Sequence, residues 1–392
     1  MARKLTTAAL VAVLLIVAVL AASCGGEETT GPIKIGVIAS MSGTAAAPSP
    51  SMVNAVKLEA DTVNAAGGVD GRLIELVIVD DKSDPATAAS VATKLITQDK
   101  VTAILGPLST PPCLAVQPLA EKYEVPLLRW DTPTLDAPAL KEKWSFICSV
   151  GPMDVADALV KQVQAEGWKK IVAAADILPP NFQSLEILKT ELPKIGVEIT
   201  VLPDTWQLDA TDLTPQVSKI YDAYKELNPD ALFVMSAIVQ TPLLQKGLRD
   251  LGVTVPIQSG PVSAHPAILS MGPEVVEGLL FLGAGITNPS QLPDDYPNKA
   301  LMLDFAARFQ AAYNEIPTLF AGAGYDSFHI LLEGLKAGGD DKAKVRDAIE
   351  GLKDFPVSQG VVNYTPDDHV LHGGYNEWIV KGGVFTFVRS LN

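Results

Sequence analysis

Val101-Thr102-Ala103-Ile104-Leu105-Gly106-Pro107-Leu108-Ser109-Thr110-Pro111-Pro112 reads as a buried strand, a turn and the start of a helix. Val101 to Leu105 is a short, mostly apolar run, and Gly106-Pro107 ends it. Ser109 or Thr110 then caps a helix that carries proline in its first turn. A strand that is apolar on both faces belongs inside a parallel sheet covered by helices. Open α/β sheets bind ligands at such a strand's C-terminal end. The helix start offers unpaired N–H groups and a positive dipole end, which suits an anion such as a carboxylate. Equally, both hydroxyls could serve only as caps, and this junction alone leaves the two readings open.

The same unit recurs in both directions. Ile33 to Ile38 is a strand, followed by a helix over about Met52 to Ala65 that closes at Gly67-Gly68. Leu73 to Val79 is a strand, and Asp84-Pro85 opens the next helix. Val125 to Leu128 follows as a fourth strand, and after Phe146 to Val150 the pattern restarts. Val155, Ala156, Leu159, Val160 and Val163 share one helix face, and Ile171 to Ala174 is the next strand. A helix from about Phe182 to Lys194, a strand Val197 to Leu202 and a helix from about Val217 to Leu227 continue it. A strand Ala231 to Val234 and a helix Thr241 to Leu251 complete the run. Later come helices at Tyr296 to Tyr313, Gly322 to Gly338 and Lys342 to Leu352, then strands and turns. Two successive runs of βα units predict an α/β protein of two lobes, each with its own parallel sheet.

At 392 residues the chain has ample length for two lobes, and 48% apolar against 19% charged excludes disorder for its bulk. Its N-terminal segment is a different matter. Met1-Ala2-Arg3-Lys4 is a positive start, and Ala8 to Leu20 is an apolar run of thirteen residues. A membrane span needs about 20. Ala21-Ala22-Ser23 before Cys24 resembles the lipobox of bacterial lipoproteins, in which the cysteine is diacylated and becomes the N-terminus. A plain secretory signal with an incidental cysteine is the alternative. Residues 24–30 form a polar, Gly-bearing tether. Without its first 23 residues the chain carries 28 basic against 45 acidic residues, a net of −17, which excludes nucleic acid and anionic membrane surfaces as partners.

Enzyme signatures are missing: there is no Walker loop, HExxH, CxxC, GxSxG or GxGxxG after a strand. A hydrolase using Ser109 or Thr110 would need a base, and none stands in an identifiable relation to either. His329 sits in an apolar helix pattern and reads as structural. His369 and His372 beside Asp367 and Asp368 are spaced loosely like metal ligands, but read as a solvated loop. Neither a cofactor nor a metal is expected. Asp80-Asp81 and Asp340-Asp341 read as turn and cap residues. Cys113 and Cys148 remain for a bridge in an exported protein, but the βα order gives no reason for their side chains to meet.

Several motifs together resemble one family. They are Ile33-Lys34-Ile35-Gly36-Val37, Met41-Ser42-Gly43, Asn64-Ala65-Ala66-Gly67-Gly68-Val69-Asp70-Gly71-Arg72, the Asp80 to Pro85 segment, Gly106 to Thr110, and Tyr325-Asp326. They are similar to the leucine/isoleucine/valine-type substrate-binding proteins of ABC importers. The resemblance runs from about Gly31 to Val388 and implies the type I periplasmic binding fold: two Rossmann-like lobes, three crossings, and a ligand in the cleft between. The first lobe is expected at 31–150 plus 285–361 and the second at 151–284 plus 362–392. The resemblance further implies an exported, monomeric receptor, lipid-anchored on the outer face of the cytoplasmic membrane. It would bind a small ligand and serve an ABC permease and ATPase.

Carried over by position, Ser109 and Thr110 fall where relatives hold the ligand's carboxylate. Asp131 and Thr132, in the segment Trp130 to Thr134, fall where backbone and a Thr hydroxyl bind the ends of an amino acid. Phe182 and Phe320 match aromatics that cover and wall the ligand. Departures are Pro48 and Ala237 in place of tyrosines, and Val262 in place of the glutamate that pairs with the α-ammonium. A buried ammonium with no counter-charge costs about 3–5 kcal/mol, by analogy with broken buried ion pairs. Either Asp131 or Asp176 supplies the charge, or the ligand has no amine. The expectation is a carboxylate ligand of the branched-chain amino acid class for which the amine matters less than in relatives. The alternatives are an aromatic or other amine-free carboxylate, a small amide, or a sensor that presents ligand to a signalling partner.

Overall fold

Strand β1 (Ile33–Ala39) sets the first lobe by its alternation. Ile33, Ile35, Val37 and Ala39 face one core and Ile38 the other, all fully buried. Both faces are covered, so apolar residues stand on both sides of the strand and Lys34 is its one charged residue. The computed structural model describes residues 31–132 and 142–391. The signal segment, the tether with Cys24, Pro133 and Thr134 lie outside the described residues.

β1 pairs in parallel with β2 (Ile74–Asp80) on one side and β3 (Ala103–Leu105) on the other, and β4 (Leu127–Arg129) and β5 (Ser145–Ile147) extend the sheet. Helix α1 (Ser49–Ala65) covers the face of Ile35 and Val37, while α2 (Pro85–Lys94) and α3 (Thr110–Tyr123) cover the face of Ile38. Asp84 caps α2 by accepting the Thr87 N–H at 2.7 Å, next to Pro85. Asp80 ties the β1–α1 loop by accepting the Met41 N–H and the Ser42 hydroxyl. Gly106, at φ +83°, makes the turn after β3, where a Cβ would strike the Ile38 carbonyl.

The second lobe begins with α4 (Pro152–Glu166), β6 (Lys170–Ala175), α5 (Pro179–Lys194), β7 (Glu198–Val201) and α6 (Thr214–Leu227). It continues through β8 (Ala231–Met235), α7 (Gln240–Asp250), β9 (Ile257–Ser259), the short α8 (Pro273–Val276) and β10 (Leu280–Gly283). Helix α5 starts three residues before the sequence-based boundary, because the Pro179-Pro180 pair suits the first helical positions. Sheet order is β14-β13-β10-β9-β8-β6-β7.

After β10 the chain returns to the first lobe as α9 (Lys299–Tyr313), α10 (Leu319–Gly338), α11 (Lys342–Glu350) and the hairpin β11 (Phe355–Val357)–β12 (Gly360–Val362). Helix α10 packs Phe328, Leu331 and Leu335 into the core of β1. The chain then crosses again to β13 (Asn376–Lys381) and β14 (Val384–Ser390), which join the second sheet antiparallel, a departure from wholly parallel sheets. Gly382 and Gly383, both at positive φ, form the two-residue turn that such a hairpin needs.

His329 donates through Nε2 to the Glu59 carboxylate at 2.9 Å, as a structural residue would. His369 is not solvated: it is 2% exposed, stacks on Phe146 at 4.3 Å, and meets the Ser145 carbonyl and Glu350. An apolar floor under the loop, invisible in its polar sequence, is the reason. His372 bridges Asp154 and Asp368, and these partners raise it to about 9, Asp154 foremost. Cys113 and Cys148 are free and buried; Cys113 donates to the Pro107 carbonyl and Cys148 lies 3.7 Å from the Tyr364 hydroxyl. Burial pushes Cys148 up to about 12, so its thiol stays protonated.

Candidate functional site

A cavity of about 250 Å³ lies between the two lobes. From the first lobe it takes Pro48 just before α1, Met52 of α1, Leu108 after β3, Trp130 and Thr132 after β4, and Leu319, Phe320 and Ala323 of α10. The second lobe supplies Val155, Leu178, Asn181, Met235 and Val262, among others. Gln359 in the β11–β12 turn, with Ser149 to Gly151 and Tyr375 on segments linking the lobes, closes it. Among the described residues no Asp, Glu, Lys, Arg or His lines it.

Helices α1, α4, α5 and α10 all start at this cavity, so their positive dipole ends face it. Few free N–H groups accompany that field. Pro50, Pro152, Pro179 and Pro180 have none. The N–H groups of Gly151, Leu178 and Phe320 donate to Asp154, Asp176 and Thr318. These helix starts favour an electron-rich ligand group without gripping it.

Thr132, Val262 and Phe320, three of the positions singled out in the sequence, line the cavity, as does Pro48. Ser109 and Thr110 stand at the start of α3, just past Leu108, and are half-buried outside the lining. Ser109 is the N-cap residue but its hydroxyl closes no cap, and Pro111 and Pro112 remove two N–H groups from that turn. Phe182 is exposed and outside the lining, where its neighbour Asn181 stands instead. Ala237 lies two residues beyond Met235, which takes the wall position.

Asp131 is not available to a ligand. Trp130 and Thr132 line the cavity, while Arg129 and Asp131 pair with each other away from it. There the Arg129 guanidinium donates to both Asp131 oxygens at 2.9 and 2.6 Å, fully buried. Burial opposes the Arg129 charge, but Asp131 outweighs it and holds the guanidinium above its ordinary value. Asp176 is buried behind Asn181 and does not line the cavity; burial raises its carboxyl above the usual range.

Sequence reading missed Met52, Asn181, Gln359 and Tyr375. Gln359 sits in the two-residue turn between β11 and β12, and nothing local to Ser358-Gln359-Gly360 places that turn under a cavity. Tyr375 is 6% exposed, and burial, then Asp154, keeps its phenol protonated as a donor.

The model of a family described as periplasmic binding protein matches residues 32–380. The chain belongs to this family. Members are substrate-binding receptors, not enzymes, and membership implies export. An amino acid binding protein of Pseudomonas aeruginosa is 29% identical over 82% of this chain and 79% of its own length. The Leu/Ile/Val-binding protein BraC3 of Rhizobium johnstonii is 25% identical over 85% and 87%. Among solved structures, an extracellular ligand-binding receptor from Rhodopseudomonas palustris HaA2 superposes with a TM-score of 0.76 at 26% identity, covering 91% of this chain and all of that one. A branched-chain amino acid transporter substrate-binding protein from Streptococcus pneumoniae, in complex with isoleucine, gives 0.75 at 26%, covering 91% and 99%. In this binding protein no helix among the described residues is long and apolar enough to cross a membrane.

Proposed function

We propose that this protein is the substrate-binding receptor of an ABC importer for small carboxylates of the branched-chain amino acid class. Its lobes, 31–150 with 285–361 and 151–284 with 362–392, close as a monomer around the ligand and present it to a permease and its ATPase. The observation that carries this reading is the small, mostly apolar cavity between lobes, with no charged lining among the described residues. Its volume is below the range of about 300–1,000 Å³ that drug-sized ligands need, which suits a short aliphatic body. The neutral lining also favours ligands whose amine makes no ion pair, so amine-free acids and small amides form the second reading. A thermal-shift screen of leucine, isoleucine and valine against aromatic acids and aliphatic amides tests it. Ligand at 100 times Kd should add about 2.7 kcal/mol. No stabilisation by any aliphatic compound, with a clear shift from another class, would reject the proposal.

Anchoring belongs to the same reading: Cys24 carries lipid and holds the receptor outside the cytoplasmic membrane. The apolar run, the small residues before Cys24 and the polar tether support it. Mass spectrometry of membrane-extracted protein should find a diacylated N-terminal Cys24. An unmodified protein released to the medium would contradict it.

A further inference from the structure

Two amide side chains of the cavity wall are held from behind by buried carboxylates. Gln359, 4% exposed, donates through Nε2 to Asp326 Oδ2 at 3.0 Å and to the Cys148 carbonyl at 3.4 Å. Asp326, fully buried on α10, also accepts the N–H groups of Ser358 and Gln359 at 2.6 and 3.2 Å. On the second lobe Asn181, 5% exposed, donates through Nδ2 to Asp176 Oδ1 at 2.9 Å. Asp176 is fully buried just after β6 and accepts the Leu178 N–H at 3.0 Å.

Carboxylates and carbonyls only accept, so in each amide the nitrogen must face the acid. The amide oxygens, Gln359 Oε1 and Asn181 Oδ1, are left for the cavity that both residues line. Neither receives a hydrogen bond from a described residue. Ser149 and Ser184 repeat the arrangement: their hydroxyls donate to the carbonyls of Trp130 and Pro180, which leaves only lone pairs to the wall. Thr132 and Tyr375 are the hydroxyl donors that remain.

We infer that the ligand's polar end is read as a hydrogen-bond donor by Gln359 Oε1 and Asn181 Oδ1, with Asp326 and Asp176 as positioning residues. This deepens, and rests on, the solute-receptor reading: the ligand is a small aliphatic solute that carries an ammonium, hydroxyl or amide N–H. The negative charge stands one residue behind the wall, where it polarises the amides and orients them. A donor group is thereby accommodated at a wall that carries no charged side chain among the described residues.

Calorimetry on the full chain with four probes tests the inference: leucine, 2-hydroxy-4-methylpentanoate, 4-methylpentanamide and 4-methylpentanoate. The hydroxy acid should bind within about tenfold of leucine, since either donor meets a neutral acceptor. Of the four, 4-methylpentanoate has no donor when ionised and should bind roughly a hundredfold more weakly than the hydroxy acid, because it leaves two buried acceptors unpaired. The amide, which carries N–H donors, should bind more tightly than 4-methylpentanoate. Equal binding of 4-methylpentanoate and the hydroxy acid would overturn the inference and leave the receptor reading intact. If none of the four binds, the branched-chain class falls, and the amide arrangement is then judged without ligand. In Gln359→Met, NMR identifies the Gln359 side-chain amide by its loss. That amide should exchange slowly and shift in Asp326→Asn, and a fast-exchanging amide indifferent to Asp326→Asn would overturn the inference whatever the ligand.

Discussion

Asp131→Ala should lower the free energy of unfolding by about 3–5 kcal/mol. The reason is the partner it abandons. Arg129 is fully buried in β4 and spends its guanidinium on both Asp131 oxygens, with the Gln117 side-chain oxygen at 3.4 Å as its other acceptor. Removing the acid leaves an uncompensated charge in the interior, since arginine does not shed its proton. Replacing both residues with apolar ones of similar size, as in Arg129→Met with Asp131→Leu, should restore most of the loss. Urea denaturation of the two variants measures both effects through the midpoint at constant slope. A loss below about 1 kcal/mol together with abolished ligand binding would mean that Asp131 serves the ligand and not the core.

Trp130→Ala should cost about 3–5 kcal/mol, the range for deleting a large buried aromatic. Trp130 is 2% exposed and packs between the Gly106 turn and α10, where its Nε1 donates to the Ser327 hydroxyl at 2.8 Å. Its ring also forms part of the cavity wall, so the void left by truncation opens into the site. The same variant should therefore take bulkier apolar ligands than the parent, while Trp130→Phe keeps most of the packing and loses only the hydrogen bond. Thermal denaturation with and without ligands of increasing bulk gives both quantities. A truncation that is neutral in stability would show that the Trp130 ring is not part of a close-packed wall.

Much of the fold was legible because its causes are local. The apolar runs of β1 and β3, the Asp84-Pro85 helix start and the Gly-rich turn at Gly382-Gly383 each fix a short piece of backbone. The parts that were not legible depend on distant partners. β9 and β10 are only three and four residues long, and their membership of a sheet comes from neighbours β8 and β13. β13 lies nearly a hundred residues beyond β10 in sequence, and no local pattern announces that pairing.

By itself, then, the sequence determined the βα alternation, the two-lobed α/β class, the lack of enzyme motifs and the motifs by which the family is known. Those follow from periodicity, caps and residue identity, all of which act within a few positions. Tertiary structure decided which side chains face the cleft. Alternation in extended chain allows either Trp130 or Asp131 to face it, and only packing against α3 and α10 sends Asp131 to Arg129 and Trp130 to the wall. Likewise Asn181 and Gln359 are ordinary polar residues in sequence. Buried Asp176, five residues before Asn181, and buried Asp326, on the distant α10, turn their amide oxygens toward one cavity, because a carboxylate accepts hydrogen bonds and never donates them.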